Sequence, residues 1–273
     1  MTLIPEIREG QSLDLLKELH ILTRDGKINQ DTRRKLKQVY HLYHFIEPLL
    51  IELQKSGNPL SLVDHGAGKS YLGFILYDLF FKKLDEGHIY GIETREELVK
   101  KSKDLASKLI FPRMSFYNLS VEESISSELL PSEIGMVTAL HACNTATDDA
   151  IDFGLKKNAK FFVLVPCCQA EVAAELRKNK GKMIGKSFLT EIWRHSLHTR
   201  EFGSHLTNVL RCLKLEANGY QVTVTELVGL EHSMKNELII AQQKNLPIKA
   251  ARDKLTQILE ELGLLDLKSR FLN

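Results

Sequence analysis

The stretch 61–73, SLVDHGAGKSYLG, carries two chemistries that exclude each other. Gly68-Lys69-Ser70 ends as a phosphate-binding loop ends, with backbone amides and a lysine placed to hold a nucleoside triphosphate. That loop needs a glycine five positions before Gly68, and the residue there is Val63. A β-branched side chain cannot make the required turn, and no second acid at a strand end completes a metal site, so a triphosphate is set aside. The other reading starts at Asp64. An acid at a strand end, then Gly66 and Gly68, then a helix, lets the backbone approach a ligand closely. Glu93 ends the next strand about 25 residues on, where a carboxylate accepts hydrogen bonds from a ribose diol. A dinucleotide site would prefer a third glycine where Tyr71 stands, and tyrosine blocks the approach of a pyrophosphate. The pattern therefore favours a nucleoside cofactor without a pyrophosphate, and S-adenosylmethionine is the candidate.

A second group of reactive residues lies further along. LHACNTATDDA puts His141, Cys143, Asn144 and Asp148 after one strand, and VPCCQAE puts Cys167, Cys168 and Gln169 after the next. Both sit where ligands bind an open α/β sheet, outside the carboxyl ends of its strands. The cysteines have three readings. They are buried structural thiols, or walls of an active site, or zinc ligands with His141. Adjacent cysteines fit a tetrahedron poorly and no C-x-x-C spacing is present, so no metal is expected.

These residues need a scaffold, and the pattern supplies one. LSLVDHG, HIYGIET, RMSFYNLS, IGMVTALHAC and AKFFVLVPCC read as strands. KSYLGFILYDLFFKKL, apolar nearly all round, reads as a deeply packed helix, and REELVKKSKDLASKL as an amphipathic one. Strands alternating with helices imply a parallel sheet covered on both faces. The helix GSHLTNVLRCLKLEANGY then closes on Asn218-Gly219. QVTVTELVG and NELIIAQQK follow with no room for a helix between them, so they are expected to pair antiparallel. The expected fold is a doubly wound, seven-stranded, mostly parallel, Rossmann-like sheet. Residues 1–55 read as an N-terminal helical extension, 56–245 as the cofactor-binding domain and 246–273 as a C-terminal amphipathic helix packed on its own domain. LRKNKGKMIGK (176–186) reads as a mobile loop.

Bulk composition narrows the class. Hydrophobic content of 43% and charged content of 26% suit a globular chain. A net charge of +2 does not demand nucleic acid, so any basic surface must be local. No run approaches the roughly 18 apolar residues of a membrane span, and the start lacks the layout of a secretory signal. With four cysteines in no framework spacing, a reduced, cytoplasmic enzyme is expected.

VDHGAGKSYLGFILYD, LHACNTATDDAI, VLVPCCQAEV and EHSMKNELI together resemble a methyltransferase family. It includes the ribosomal-RNA-adenine-dimethylase-domain-containing proteins and many bacterial methyltransferases. The resemblance covers roughly residues 30–242, and HAC-TATD and PCCQ are its specific elements. It implies a class I fold with S-adenosylmethionine as cofactor. By position, Asp64, His65, Gly66, Gly68 and Tyr71 would line the cofactor, Glu93 its ribose and Asn118, Leu119 and Ser120 its adenine edge. His141 would close the site near the methionine end. Relatives usually carry Asp where this chain has Asn144, a lost carboxylate that bears on substrate and rate.

Methyl transfer needs donor and acceptor positioned and a proton removed. For an exocyclic amine, Asn144 and Gln169 would orient the nitrogen lone pair. For a more acidic acceptor His141 is the neutral-pH base. Cys167 or Cys168 would serve as nucleophile only for carbon methylation. RNA (tRNA or rRNA) is the expected acceptor. The cations Arg33, Arg34, Lys35 and Lys37, then Arg177, Lys178, Lys180, Lys182 and Lys186, and Arg194 and Arg200 around Trp193, His195 and His198, suit single-stranded RNA. A solvated charged face explains them equally. A small-molecule or protein acceptor, or a non-catalytic binding module, are the alternatives. The oligomeric state is left open.

Overall fold

The computed structural model describes residues 6–140, 142, 144–167, 169–183, 191–192, 194–227 and 237–272. Seven strands form one sheet in the order β3-β2-β1-β4-β5-β7-β6. They are β1 (Ser61–His65), β2 (His88–Glu93), β3 (Met114–Asn118), β4 (Met136–Leu140), β5 (Phe161–Val165), β6 (Tyr220–Glu226) and β7 (Glu237–Gln243). The first five are parallel, and β7 runs antiparallel to both β5 and β6. Every residue of β1 and β5 is buried, as strands covered on both faces must be. The strand order reverses between β1 and β4. A doubly wound sheet opens its ligand crevice at that point, beyond the carboxyl ends of the strands.

Helices α1 (Leu13–Glu18), α2 (Gln30–Ser56), α3 (Tyr71–Leu79) and α4 (Glu96–Lys108) share an apolar cluster with one face of the sheet. Helix α2 starts where Asn29 Oδ1 accepts from the Thr32 amide at 2.9 Å and stops at Gly57, which takes a φ of 67°. Its Leu36, Leu42, Ile46, Leu50 and Leu53 pack in that cluster with Leu62, Met136 and Phe161. Residues 30–55 thus pack in the same core as the sheet. Helices α5 (Val121–Ser126), α6 (Ala146–Lys156) and α8 (Ser196–Glu216) cover the opposite face, with Phe153 and Leu215 against Val137, Phe162 and Ile239. A third cluster joins α7 (Glu171–Met183), α8, α9 (Lys249–Glu261) and α10 (Lys268–Phe271) through Leu176, Leu210, Leu255, Leu259 and Phe271.

Two local expectations are corrected. Of the loop expected over 176–186, residues 176–183 continue helix α7 and 184–186 lie outside the described residues. Lysine and arginine are good helix formers, and Val172, Ala173 and Leu176 bury the face that meets α8, where Gly203 lets the backbones close. The single C-terminal helix is also two. Helix α9 ends at Gly263, whose φ is 64°, and a turn at Leu265–Leu267 precedes α10. Among the described residues no helix is long and apolar enough to cross a membrane.

Candidate functional site

The turn after β1 takes three left-handed residues in five, Gly66 (φ 68°), Gly68 (φ 59°) and Ser70 (φ 50°). Glycine takes that region freely. Ser70 does not, and it is held there by burial and by its hydroxyl, which donates to Asp64 Oδ2 at 3.3 Å. Gly73 in the first turn of α3 makes this possible. A Cβ there would lie 2.5 Å from Ser70 Oγ. The turn is also tied to β2. The Ala67 amide donates to Ile92 O at 3.0 Å, and the Gly68 amide donates to Glu93 Oε2 at 2.8 Å. This last bond disposes of the phosphate reading independently of Val63. A carboxylate already sits at the amide a phosphate would need.

Asp64 is buried and faces inward. Its Oδ1 accepts from Thr138 Oγ1 at 3.0 Å. Burial pushes its carboxyl up to about 6, against hydrogen bonds from Thr138 and Ser70 that lower it. His65 is 5% exposed beside the ring of Phe153, and neither ring nitrogen has a hydrogen-bond partner among the described residues. Burial pushes its imidazole down to about 4, opposed by the charge of Glu93. At Glu93 burial alone would raise the carboxyl. The Arg95 side chain and amide and the Gly68 amide outweigh it and hold the group below its usual range. Asn118 extends the rim, donating from Nδ2 to Glu93 O at 3.0 Å, next to half-buried Leu119. Ser120 caps α5, its amide donating to Glu123 Oε2 at 2.7 Å and its hydroxyl accepting from the Glu123 amide at 3.3 Å. Tyr71 opens α3, half-buried.

These residues suit an adenosyl group. The side chains missing from Gly66 and Gly68 would meet Ala142 Cβ at 3.7 Å and Arg95 Nη2 at 3.8 Å, ordinary contact distances, so the bare backbone there forms a cradle a ligand can approach closely. The cradle adjoins an ionised carboxylate and an orphaned, buried imidazole. Burying an unsatisfied polar group costs about 1–3 kcal/mol.

The orphan gives a pH test. A neutral His65 contributes stability that is complete above its unfolded value near 6.5. That contribution is lost as pH falls toward its folded value of about 4. Asp64 acts in the opposite sense, since its ionisation costs stability as pH rises from about 4 to about 6. Between about pH 7.5 and 4.5, His65→Leu is therefore expected to gain about 2 kcal/mol on the wild type in urea unfolding. An offset that stays constant across that range would remove the buried neutral imidazole.

The part of the crevice formed by the loops after β4 and β5 is organised by a residue the motifs did not reveal. Arg211 on α8 is 0% exposed. Its Nε and Nη2 donate to Asp148 Oδ1 and Oδ2 at 2.8 and 2.7 Å, and Nη2 also donates to Asn144 O at 2.8 Å. Its Nη1 donates to Gln169 Oε1 at 3.0 Å and Asn208 Oδ1 at 3.2 Å. All five guanidinium protons are used. Gln169 donates onward to Ser204 O and Asn208 Oδ1 at 3.0 and 2.7 Å, and Asn208 donates to Glu237 Oε2 at 2.6 Å. The loops after β4 and β5 are thereby fastened to each other and to α8. Gln169 is buried in this brace with both ends of its amide engaged, so it does not present a free amide to the crevice. Asn144 does face solvent. It has a φ of 54°, a conformation asparagine tolerates, and its Oδ1 accepts from the Ala170 amide at 3.4 Å. Cys167 is half-buried. His141, Cys143 and Cys168 lie outside the described residues, and with them three members of the zinc reading. Among the described residues no cluster of His, Cys, Asp or Glu is placed to hold a metal. The signal for Arg211 was present: it and Lys214 interrupt the buried face made by Leu206, Leu210 and Leu215.

The cations proposed for RNA are partly committed elsewhere. Arg33 pairs with Glu6 at 2.8 Å, Arg34 lies 3.9 Å from Asp31, and Lys178 pairs with Glu175 at 3.2 Å. Arg194 and Arg200 pair with Glu191 and Glu201. Lys35 and Lys37 are exposed with no ion pair among the described residues. The side chains of Lys180 and Lys182, and Lys186 and Trp193 entirely, lie outside the described residues. An apolar groove of about 510 Å³ between α8, α9 and the β6–β7 pair lies away from the glycine turn. Its Cys212 thiol is pushed up to about 12 by burial and by Glu237 and Glu216, and is inert.

A methyltransferase-domain family matches residues 34–175. A glutathione S-transferase C-terminal domain-containing protein of Xenopus laevis is 28% identical over 145 residues, 53% of this chain and 21% of that protein. The chain thus spans about a fifth of the length of that relative. Magnesium protoporphyrin IX methyltransferase from Synechocystis PCC 6803, solved with bound SAH, aligns with a TM-score of 0.46 and 14% identity over 84% of this chain and 94% of that one. Precorrin-6y C5,15-methyltransferase from Geobacter metallireducens aligns with a TM-score of 0.42 and 18% identity over 68% and 80%.

Proposed function

Because the chain belongs to the methyltransferase-domain family, we propose that the crevice beyond β1, β2 and β4 seats S-adenosylmethionine and that the brace around Arg211 shapes the acceptor wall. The chain is an S-adenosylmethionine-dependent methyltransferase. One observation carries the seating. The glycine cradle and the Glu93 carboxylate are joined by the 2.8 Å bond from the Gly68 amide. The cofactor supplies an electrophilic methyl on a sulfonium. The chain's own work is to bind, orient and exclude water. Gly66 and Gly68 let the backbone approach, Glu93 would accept from the ribose hydroxyls, and Asn118 with Leu119 would border the base. Asn144 is the exposed amide best placed to orient an acceptor, and Gln169 acts through the brace that holds Asn144 O. His141 is proposed as the base where an acceptor must lose a proton, and Cys167 as part of the wall.

RNA is the proposed acceptor, supported by exposed Lys35 and Lys37 and by the lysine-rich end of α7. Methylation of a small molecule is the second reading. The ion pairs of Arg33, Arg34 and Lys178 favour it, since paired cations release fewer phosphate counterions. Incubation with methyl-labelled cofactor and separated RNA, protein and metabolite fractions decides. Label in RNA, with binding that weakens steeply as salt rises, is the expected result. Label in the metabolite fraction alone would overturn the RNA acceptor and leave methyl transfer standing.

A further inference from the structure

Glu93 carries more donors than a carboxylate waiting for a ligand should. Its Oε2 accepts from the Gly68 amide at 2.8 Å and from Arg95 Nη2 at 3.1 Å. Its Oε1 accepts from the Arg95 amide at 3.1 Å and Arg95 Nε at 3.0 Å, with the Thr94 hydroxyl at 3.4 Å. Two carboxylate oxygens offer about four lone-pair sites, and all are engaged. A ribose diol brings two hydroxyl donors that need such sites. The Gly68 and Arg95 amides belong to a backbone fixed by the turn and by α4, so they stay. The guanidinium is the donor that can leave, because the Arg95 side chain is 60% exposed where that of Glu93 is 7% exposed. The guanidinium also overhangs the cradle, since a Cβ on Gly68 would lie 3.8 Å from Arg95 Nη2. It therefore covers both the acid that would hold the ribose and the backbone that would approach the nucleoside.

We propose that Arg95 is a resident occupant of the ribose subsite and sets cofactor affinity by competing for Glu93. This rests on the methyltransferase reading and deepens it. Binding then includes the loss of a two-pronged ion pair, whose worth at a partly exposed site is small but measurable. Removing the guanidinium takes away the competitor and leaves Glu93 with its two backbone donors, the distant Thr94 hydroxyl and room for a diol. A residue that helped to hold the cofactor would give the opposite sign.

The test is calorimetric titration of S-adenosylmethionine and of S-adenosylhomocysteine, which has no net charge, into the full chain and into Arg95→Ala and Arg95→Lys. Arg95→Ala is expected to bind both about fivefold more tightly. Arg95→Lys, which keeps the charge but loses the fork, is expected to fall between. Raising the salt concentration screens the Glu93 pair. It should tighten S-adenosylhomocysteine binding to the wild type and leave Arg95→Ala unchanged. Equal or weaker binding by Arg95→Ala, with clear heat from the wild type, overturns the competitor role alone. No heat from any of the three proteins overturns the cofactor reading and this one with it.

Discussion

Arg211→Met is expected to lower the stability of the fold by about 4 kcal/mol, read as a shift in the urea midpoint at unchanged slope. The guanidinium and the Asp148 carboxylate are 0% and 3% exposed and share two hydrogen bonds. Methionine fills much of the same volume but leaves Asp148 charged and alone in the interior. Gln169 and Asn208 each lose a donor as well. Breaking one side of a buried pair costs more than the pair is worth. Arg211→Met combined with Asp148→Leu is therefore expected to recover most of the loss. A single variant within about 1 kcal/mol of the wild type would show that the brace is not what fastens the loops after β4 and β5.

Glu93→Ala is expected to weaken S-adenosylmethionine binding about 100-fold, because two hydrogen bonds to an ionised carboxylate are worth about 3 kcal/mol together. Folding stability should change little. The Gly68 amide that loses its partner lies at a half-exposed turn, where water replaces the carboxylate. Glu93→Gln, which keeps shape and one acceptor, should fall between. The loss of Glu93 also releases Arg95, so Arg95→Ala made in that background should no longer tighten binding. Unchanged affinity in Glu93→Ala would remove the ribose role.

The elements of this fold are strongly legible in the sequence. The alternation of short apolar strands with amphipathic helices gives a covered parallel sheet. The short interval between residues 220 and 243 forces β6 and β7 to pair antiparallel. The glycine turn and Glu93 were visible as residue types at a spacing, and β2 does lie beside β1 with its end at that turn. What was hidden depends on contacts between distant segments. The lysine-rich run of α7 looks like a loop by composition, and it continues a helix whose Val172, Ala173 and Leu176 are buried, with Ala173 against Gly203 of α8. The basic patches looked like local clusters of charge open to a ligand. The pairing of Arg33, Lys178, Arg194 and Arg200 with Glu6, Glu175, Glu191 and Glu201 depends on side-chain placement as well as on order along the chain. Arg211 belongs to no motif, because a single charge on an apolar face names no partner until Asp148, Gln169 and Asn144 converge on it. Gln169 read as a substrate contact for the same reason, and its amide turns into the brace.

Binding of S-adenosylmethionine at the turn 66–70 beside Glu93 is tested most directly by isothermal titration of the cofactor into the wild-type protein. A saturable one-to-one isotherm, weakened strongly by Glu93→Ala, is the expected result. Absence of heat at high-micromolar protein with excess cofactor would contradict it.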